Sequence, residues 1–227
     1  MSSLLASLLA GVVFGLALAA PPGPMNAIIA EESVLRGWRS GFAAGLGAMS
    51  ADAVFFGLTL AGVAAVLERF ATLQDALFLV GGLLMVLFAV DAFRNARAST
   101  SFTQGELAQA SMGFRKTFAL SFTNPYQIAF WATVGVGLVR PGTLEFAEHV
   151  PGLLAPLLSD VVVETGSPAL LVGFFAGIAV WIAVYPAVLV AAGRRVDAFA
   201  PVVALLSGVV LAGFGVLFAW VGVTALL

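Results

Sequence analysis

The sequence predicts an all-α integral membrane protein of six transmembrane helices, arranged as two inverted three-helix repeats in which helices 1 and 4 are broken. Three observations carry this expectation. Hydrophobic residues make up 61% of the 227, charged residues only 10%, and mean hydropathy is +1.09, where an ordinary globular domain has roughly 45–50% apolar and 25% charged residues. Charges fall in clusters, and the uncharged runs between them reach the about 20 helical residues that cross a hydrocarbon core of about 30 Å. Proline breaks recur at matching places in the two halves of the chain.

Counted this way, the spans lie near 4–30, 41–67, 76–93, 117–139, 168–193 and 199–226. Residues 4–18 followed by "LALAA" have the outline of a secretory signal with a small-residue cleavage site. However, "MSS" carries no Lys or Arg, and the apolar stretch resumes after the prolines with "MNAIIA", so the segment reads as the first span. Short cytoplasmic loops carry the Lys and Arg excess. Arg36, Arg39, Arg94, Arg97, Arg115, Lys116, Arg194 and Arg195 fall on one side and only Arg69 and Arg140 on the other. Both termini are therefore expected to be extracytoplasmic, with the protein multi-pass in the cell membrane. The net charge of −2 says little beside this distribution.

"GFAAGLGAMSADAVFFGLTLA" at 41–61 aligns without gaps with "GFFAGIAVWIAVYPAVLVAAG" at 173–193, and the flanking helices align in the same order. "LALAAPPGP" pairs with "FALSFTNP", and "LVGGLLMVLF" with "LLSGVVLAGF". Three helices repeated twice send the second copy into the membrane from the opposite side, the plan of many secondary transporters. The organisation is then a first repeat at 1–94, a cytoplasmic linker at 95–113, and a second repeat at 114–227 with an outer loop at 140–167. That loop carries Glu145, Glu148, Asp160 and Glu164, with Pro141, Pro151 and Pro156. Its apolar piece at 150–163 is too short to span and suits the interface or the cover of an opening.

The candidate site follows from the breaks. Proline lacks the amide hydrogen and clashes with the carbonyl four residues back, so Pro21, Pro22 and Pro24 free the carbonyls of Ala17, Leu18 and Ala20. In the fourth helix Pro125 frees that of Ser121, and Asn124 can cap the half-helix that Pro125 begins. Unpaired backbone groups in hydrocarbon cost several kcal/mol each, so breaks persist where protein, water or ligand satisfies them. Packing kinks without a ligand are the plainer alternative. Asp52 stands near the middle of the second helix, where an ionisable side chain costs at least about 2.5–3.5 kcal/mol and is by default functional. Its counterpart in the repeat is Val184. A neutral aspartate bonded to Ser50, Thr59 or a neighbouring helix is the rival reading.

Other residues rank lower. Glu31 and Glu32 could line a cytoplasmic entrance but read better as interfacial carboxylates beside Arg36. Asp91 and Arg94 read as a surface pair three residues apart. Gly41 with Gly45, and Gly173 with Gly177, suit close helix packing. Pro186 in "WIAVYP" kinks the fifth helix, as a gate hinge or as a static bend, and Pro22 is a second hinge candidate. With no cysteine and a single loop histidine, His149, no metal and no cofactor are expected.

The elements "PPGPMNAIIAEESVLRGWRSG", "SADAVFF", "FTNPYQIAFW" and "AVWIAVYP" together resemble the LysE family of amino-acid exporters, including its RhtB branch, over nearly the whole chain. The resemblance implies export of amino acids or related metabolites, driven by protons or membrane potential, by a homodimer in the lipid bilayer. Beside it, the helix breaks and the intramembrane carboxylate put the expected substrate site at Gly23, Pro24, Asn26, Asp52, Asn124 and Pro125, with Asp52 coupling protons, and neither catalytic residues nor nucleic-acid contacts are expected. The long acidic outer loop, and Glu31 and Glu32, depart from the family pattern. Two other classes stay open. An inorganic-ion transporter would use the same breaks but more intramembrane carboxylates. An intramembrane enzyme would need a nucleophile and base, and the chain shows no GxSxG, no HExxH and no cysteine.

Overall fold

The computed structural model describes residues 3–62, 71–98, 112–145, 162–193 and 199–226. Among the described residues eight helices run in the order α1 (Ser3–Ala19), α2 (Pro24–Arg36), α3 (Trp38–Leu60), α4 (Ala71–Ala98), α5 (Gly113–Thr123), α6 (Pro125–Val139), α7 (Pro168–Gly193) and α8 (Phe199–Leu226). Between α6 and α7 stand β1 (Gly142–Glu145) and β2 (Val162–Thr165), an antiparallel pair with Thr143 opposite Glu164. Among the described residues α3, α7 and α8 are long and apolar enough to cross a membrane, and α1 with α2 makes a fourth if the bent pair is one span.

The expected break in the first helix is found in that pair. The expected span at 4–30 is a helix that stops at Ala19 and resumes at Pro24 after a turn of 84°. A single proline kink does not account for so large an angle. Pro21 and Pro22 are both proline-locked, and Gly23 lies fully extended (φ −175°, ψ −177°), so the helix ladder is abandoned for four residues. The all-α class holds, and the expected loop 140–167 also carries a two-stranded ribbon at its ends. Val162 and Val163 are β-branched and suit a strand. The ribbon is anchored to α1, because the Glu164 amide donates to Ser7 Oγ at 2.9 Å. The helix α4 continues to Ala98, four residues into the expected linker. Residues 99–111 of that linker, Arg69, Arg194 and Arg195, and the loop residues Glu148, His149, Pro151, Pro156 and Asp160 lie outside the described residues.

Glycines set the helix pairs. A Cβ on Gly11 or Gly15 would strike the α7 backbone at Leu170 and Phe174, and one on Gly173 or Gly177 would strike α1 at Leu8 and Val12, all well under 3.0 Å. Position advances together on the two helices, so α1 and α7 run parallel in contact. α4 and α8 run antiparallel, with Gly82 against Gly215 and Ala219 and Gly222 against Asp75 and Leu79. α3 packs on α5, where Thr117 Oγ1 donates to the Ala44 carbonyl at 2.5 Å beside Gly47. Gly37 alone separates α2 from α3, and its φ of 86° is one that side chains with a Cβ rarely adopt.

The core divides in two. One cluster gathers Ile28, Met85, Leu120, Leu211 and Phe218 from α2, α4, α5 and α8. The other gathers Phe55, Ile128, Trp131, Phe174 and Ile182 from α3, α6 and α7, with Phe14 and Leu18 of α1 against it. The outward faces of α4, α7 and α8 carry exposed large apolar residues such as Leu83, Leu87, Val172, Leu206 and Trp220. That is the polarity expected of helices solvated by lipid.

Candidate functional site

The first break is closed by one side chain. Asn26, in the first turn of α2, donates through Nδ2 to the carbonyls of Ala19 at 2.7 Å and Pro21 at 2.8 Å, while its Oδ1 accepts from Trp181 Nε1 at 3.1 Å. The chain end of α1, the start of α2 and the middle of α7 are thereby joined at a single amide. The second break is capped as the sequence suggests. Asn124 Oδ1 accepts from the Tyr126 amide at 3.0 Å, and its carbonyl accepts from the amides of Gln127 and Ile128. The Ser121 carbonyl that Pro125 frees is met by the Asn124 amide at 3.3 Å. The two half-helix starts differ in consequence. α6 begins on its own side-chain cap, whereas α2 begins at Gly23 with none.

Asp52 is 5% exposed. Its Oδ1 accepts from Gln127 Nε2 and, at 2.8 Å, from Trp131 Nε1, both on α6. Among the described residues no donor reaches its Oδ2. Of the partners the sequence offered, Ser50 donates to Leu46 on its own helix and Thr59 to the Trp131 carbonyl, so the neighbouring helix is the one that holds the carboxylate. Val184, its counterpart in the aligned segment, is 52% exposed and faces away from the core. The charge therefore belongs to one segment of the aligned pair.

These groups converge on a cavity of about 320 Å³. Pro22, Gly23, Pro24, Asn26, Asp52 and Asn124 all line it, so the cavity brings together both breaks and the buried carboxylate. Pro125 is buried directly beside it, behind Asn124. Pro186 is not among the lining residues. It is buried against Gly41 within an unbroken α7, which does not favour it as a hinge of the site. A second, apolar recess of about 650 Å³ lies between α1, α6 and the ribbon, where Gly142, Thr143 and Thr165 border it. Leu18 and Pro21 line both spaces.

Three functional side chains escaped the sequence reading: Gln127 and Trp131, which hold Asp52, and Trp181, which holds Asn26. All three stand in the quoted elements "FTNPYQIAFW" and "AVWIAVYP", one or two helical turns from a break or facing it, and that proximity is the signal available to find them. Two readings are corrected. Glu31 and Glu32 are packed inside the protein, 2% and 1% exposed, because α2, redirected by the bend, lies against α3 and α8. Glu32 lies against Gly113 and pairs with Arg36 at 3.3 Å. Asp91 pairs not with Arg94 but with the buried Lys116 of α5, whose ammonium also sits 5.6 Å over the Phe88 ring. Among the described residues no group of three His, Cys, Asp or Glu could hold a metal ion.

Comparison with known proteins places this geometry. The chain is 30% identical over 129 residues to a Bacillus subtilis protein named "Putative amino acid efflux protein", covering 53% of this chain and 57% of that one. It is 31% identical over 137 residues to an uncharacterized membrane protein of Pseudomonas aeruginosa, covering 58% of this chain and 62% of that one. The match thus spans less than two thirds of either relative. No solved structure matches. The sequence model of the LysE type translocator family matches residues 16–155, which include both breaks, Asp52, Gln127 and Trp131. The chain belongs to the LysE type translocator family.

Proposed function

We propose that the protein is a secondary transporter that exports amino acids or related small metabolites across the cell membrane, coupled to protons or to the membrane potential. The observation that carries this reading is the cavity in which a buried carboxylate faces two interrupted helices. The α2 start offers amide groups and a positive dipole end to a substrate carboxylate. Asp52 Oδ2 suits the ammonium group or a proton. Substrate and proton then compete for one oxygen, and that competition couples their movements.

The six-span plan, with repeats at 1–94 and 114–227 joined by the linker 95–113, belongs to the same proposal. It is supported by the pairing of helices. The first helix of copy one (α1) lies on the second of copy two (α7), the first of copy two (α5) on the second of copy one (α3), and the two third helices (α4, α8) on each other. A two-fold relation between the copies would generate these pairs together. Rocking of one core cluster against the other would open the cavity alternately to each side. In this reading both termini are extracytoplasmic, the outer recess is the exit, and the protein is a homodimer.

Inorganic-ion transport is the second reading, and buried Glu31 and Glu32 favour it more than the sequence did. Inverted vesicles, which turn export into accumulation, separate the two. Proton-driven uptake of labelled amino acids that Asp52→Asn abolishes supports the exporter. Uptake of ions alone would replace it with the second reading.

A further inference from the structure

The cavity's walls carry information about the substrate's side chain. Asp52 is the one charged residue among the described residues that line it. A substrate with an ammonium and a carboxylate meets Asp52 and the uncapped start of α2, and both of its charges then have partners. A second ammonium, as in a basic amino acid, would face no second carboxylate. A second carboxylate would face no cation. Buried charges without partners are expensive, so the remaining side chain has to be neutral.

Part of the polar capacity in the walls is already committed. Asn26 uses both ends of its amide on Ala19, Pro21 and Trp181. Gln127 gives its amide to Asp52, and Asn124 gives its carbonyl oxygen to Tyr126. Much of the remaining lining is apolar: Met25 and Phe214, which pack on one core cluster, Met49, which packs on the other, and Ile178 and Ile182, which belong to that other cluster. The space thus sits at the seam of the two clusters, and a side chain entering it continues hydrophobic packing from both. Met25 and Met49 are unbranched and adaptable, which suits a family of bulky apolar shapes rather than one.

We propose that the cavity selects zwitterionic amino acids with a large apolar side chain, and that Met25, Met49, Ile178, Ile182 and Phe214 form the wall that selects them. The inference rests on the reading of this cavity as the substrate site. Each buried methylene is worth about fourfold in affinity, so leucine should bind at least about thirtyfold more tightly than alanine.

Calorimetry on the full chain in detergent tests it with leucine, methionine, phenylalanine, alanine, threonine, lysine and glutamate. The expected order is leucine, methionine and phenylalanine first, alanine and threonine weaker by at least about thirtyfold, and lysine and glutamate weakest. Met49→Ala is chosen because Met49 is only half-buried. It should shrink the leucine-to-alanine affinity ratio several-fold, a change of preference that misfolding, which weakens both alike, does not produce. Tightest binding of lysine, threonine or glutamate would overturn the apolar wall while leaving amino-acid export intact. Absence of binding by every amino acid, with the melting transition of the chain intact, would overturn the proposed function itself.

Discussion

Trp181 Nε1 and Asn26 Oδ1 meet at 3.1 Å, 155 positions apart in the chain, and that bond fixes the middle of α7 to the corner where α1 turns into α2. Asn26→Ala removes the partner of three polar groups at once: the Ala19 and Pro21 carbonyls and the Trp181 indole. Unsatisfied buried groups cost about 1–3 kcal/mol each, so the variant should lose about 3 kcal/mol or more and melt clearly lower in detergent. Asn26→Asp keeps the acceptor for Trp181 but turns a carboxylate oxygen toward the Ala19 and Pro21 carbonyls and should melt at least as low. An unchanged melting temperature for both would show that the corner is held by the prolines alone.

Asp52→Asn separates chemistry from packing. Asparagine presents an oxygen to Gln127 and Trp131 with the same shape but cannot titrate. Proton-driven export should vanish while the protein still reaches the membrane and melts within a few degrees of the parent. Undiminished proton-driven export by this variant would make Asp52 structural.

Restoring helix continuity tests the breaks. Pro125→Ala supplies an amide that can reach the Ser121 carbonyl, and because Pro125 stands at the first position of α6, where proline is tolerated, removing it should change stability little. Substrate affinity should fall at least about tenfold while stability holds or rises. Pro24→Ala should weaken binding less, because Pro21, Pro22 and the extended Gly23 still enforce the 84° turn. Binding isotherms read beside melting curves distinguish a shaped site from an idle kink.

The α1–α7 contact predicts a contrast among glycines. Gly11→Ala and Gly173→Ala put a Cβ into the facing backbone and should destabilise by several kcal/mol, in the range of overpacked cores. Gly57→Ala and Gly137→Ala meet nothing within 4 Å and should be neutral or gain up to about 1 kcal/mol from helix propensity. Melting curves of the four variants check it.

Orientation is accessible because the chain has no cysteine. Single cysteines at Thr143 and Met112, both exposed, should be labelled by an impermeant thiol reagent on intact cells only at Thr143. Labelling at Met112 alone would reverse the proposed topology.

The sequence showed Asp52 and both breaks because each violates a local rule: a charge in an apolar run, or a proline in a helix. It did not show what answers them. Gln127 and Trp131 lie 75 and 79 positions from Asp52, and an indole or amide in a membrane helix is unremarkable until the fold aims it. Glu31 and Glu32 were misread for a geometric reason. Counting residues along a straight helix puts them at the membrane edge, whereas a turn of 84° puts them in the core. Lys116 was assigned by its neighbours in sequence to a cytoplasmic loop, and only tertiary contact with Asp91 and Phe88 explains its burial. The ribbon was hidden because each of its strands has four residues and neither has a partner nearby in the chain.

The contact between α1 and α7 also has a consequence in time. Gly11 cannot meet its partner until Gly173 exists, 162 positions later (173 − 11). At about 5–20 residues per second of synthesis, that is a wait of roughly 8–30 s. Through that interval the bare glycine face of α1 has only lipid, or a helix borrowed from elsewhere, to lie against. The amide of Asn26 can close the corner at Ala19 and Pro21 at once, but Trp181 arrives as late as α7 does. A chain arrested before residue 168 should therefore leave its first helix unmatched and open to membrane proteases, and the cavity should be among the last features of the molecule to take shape.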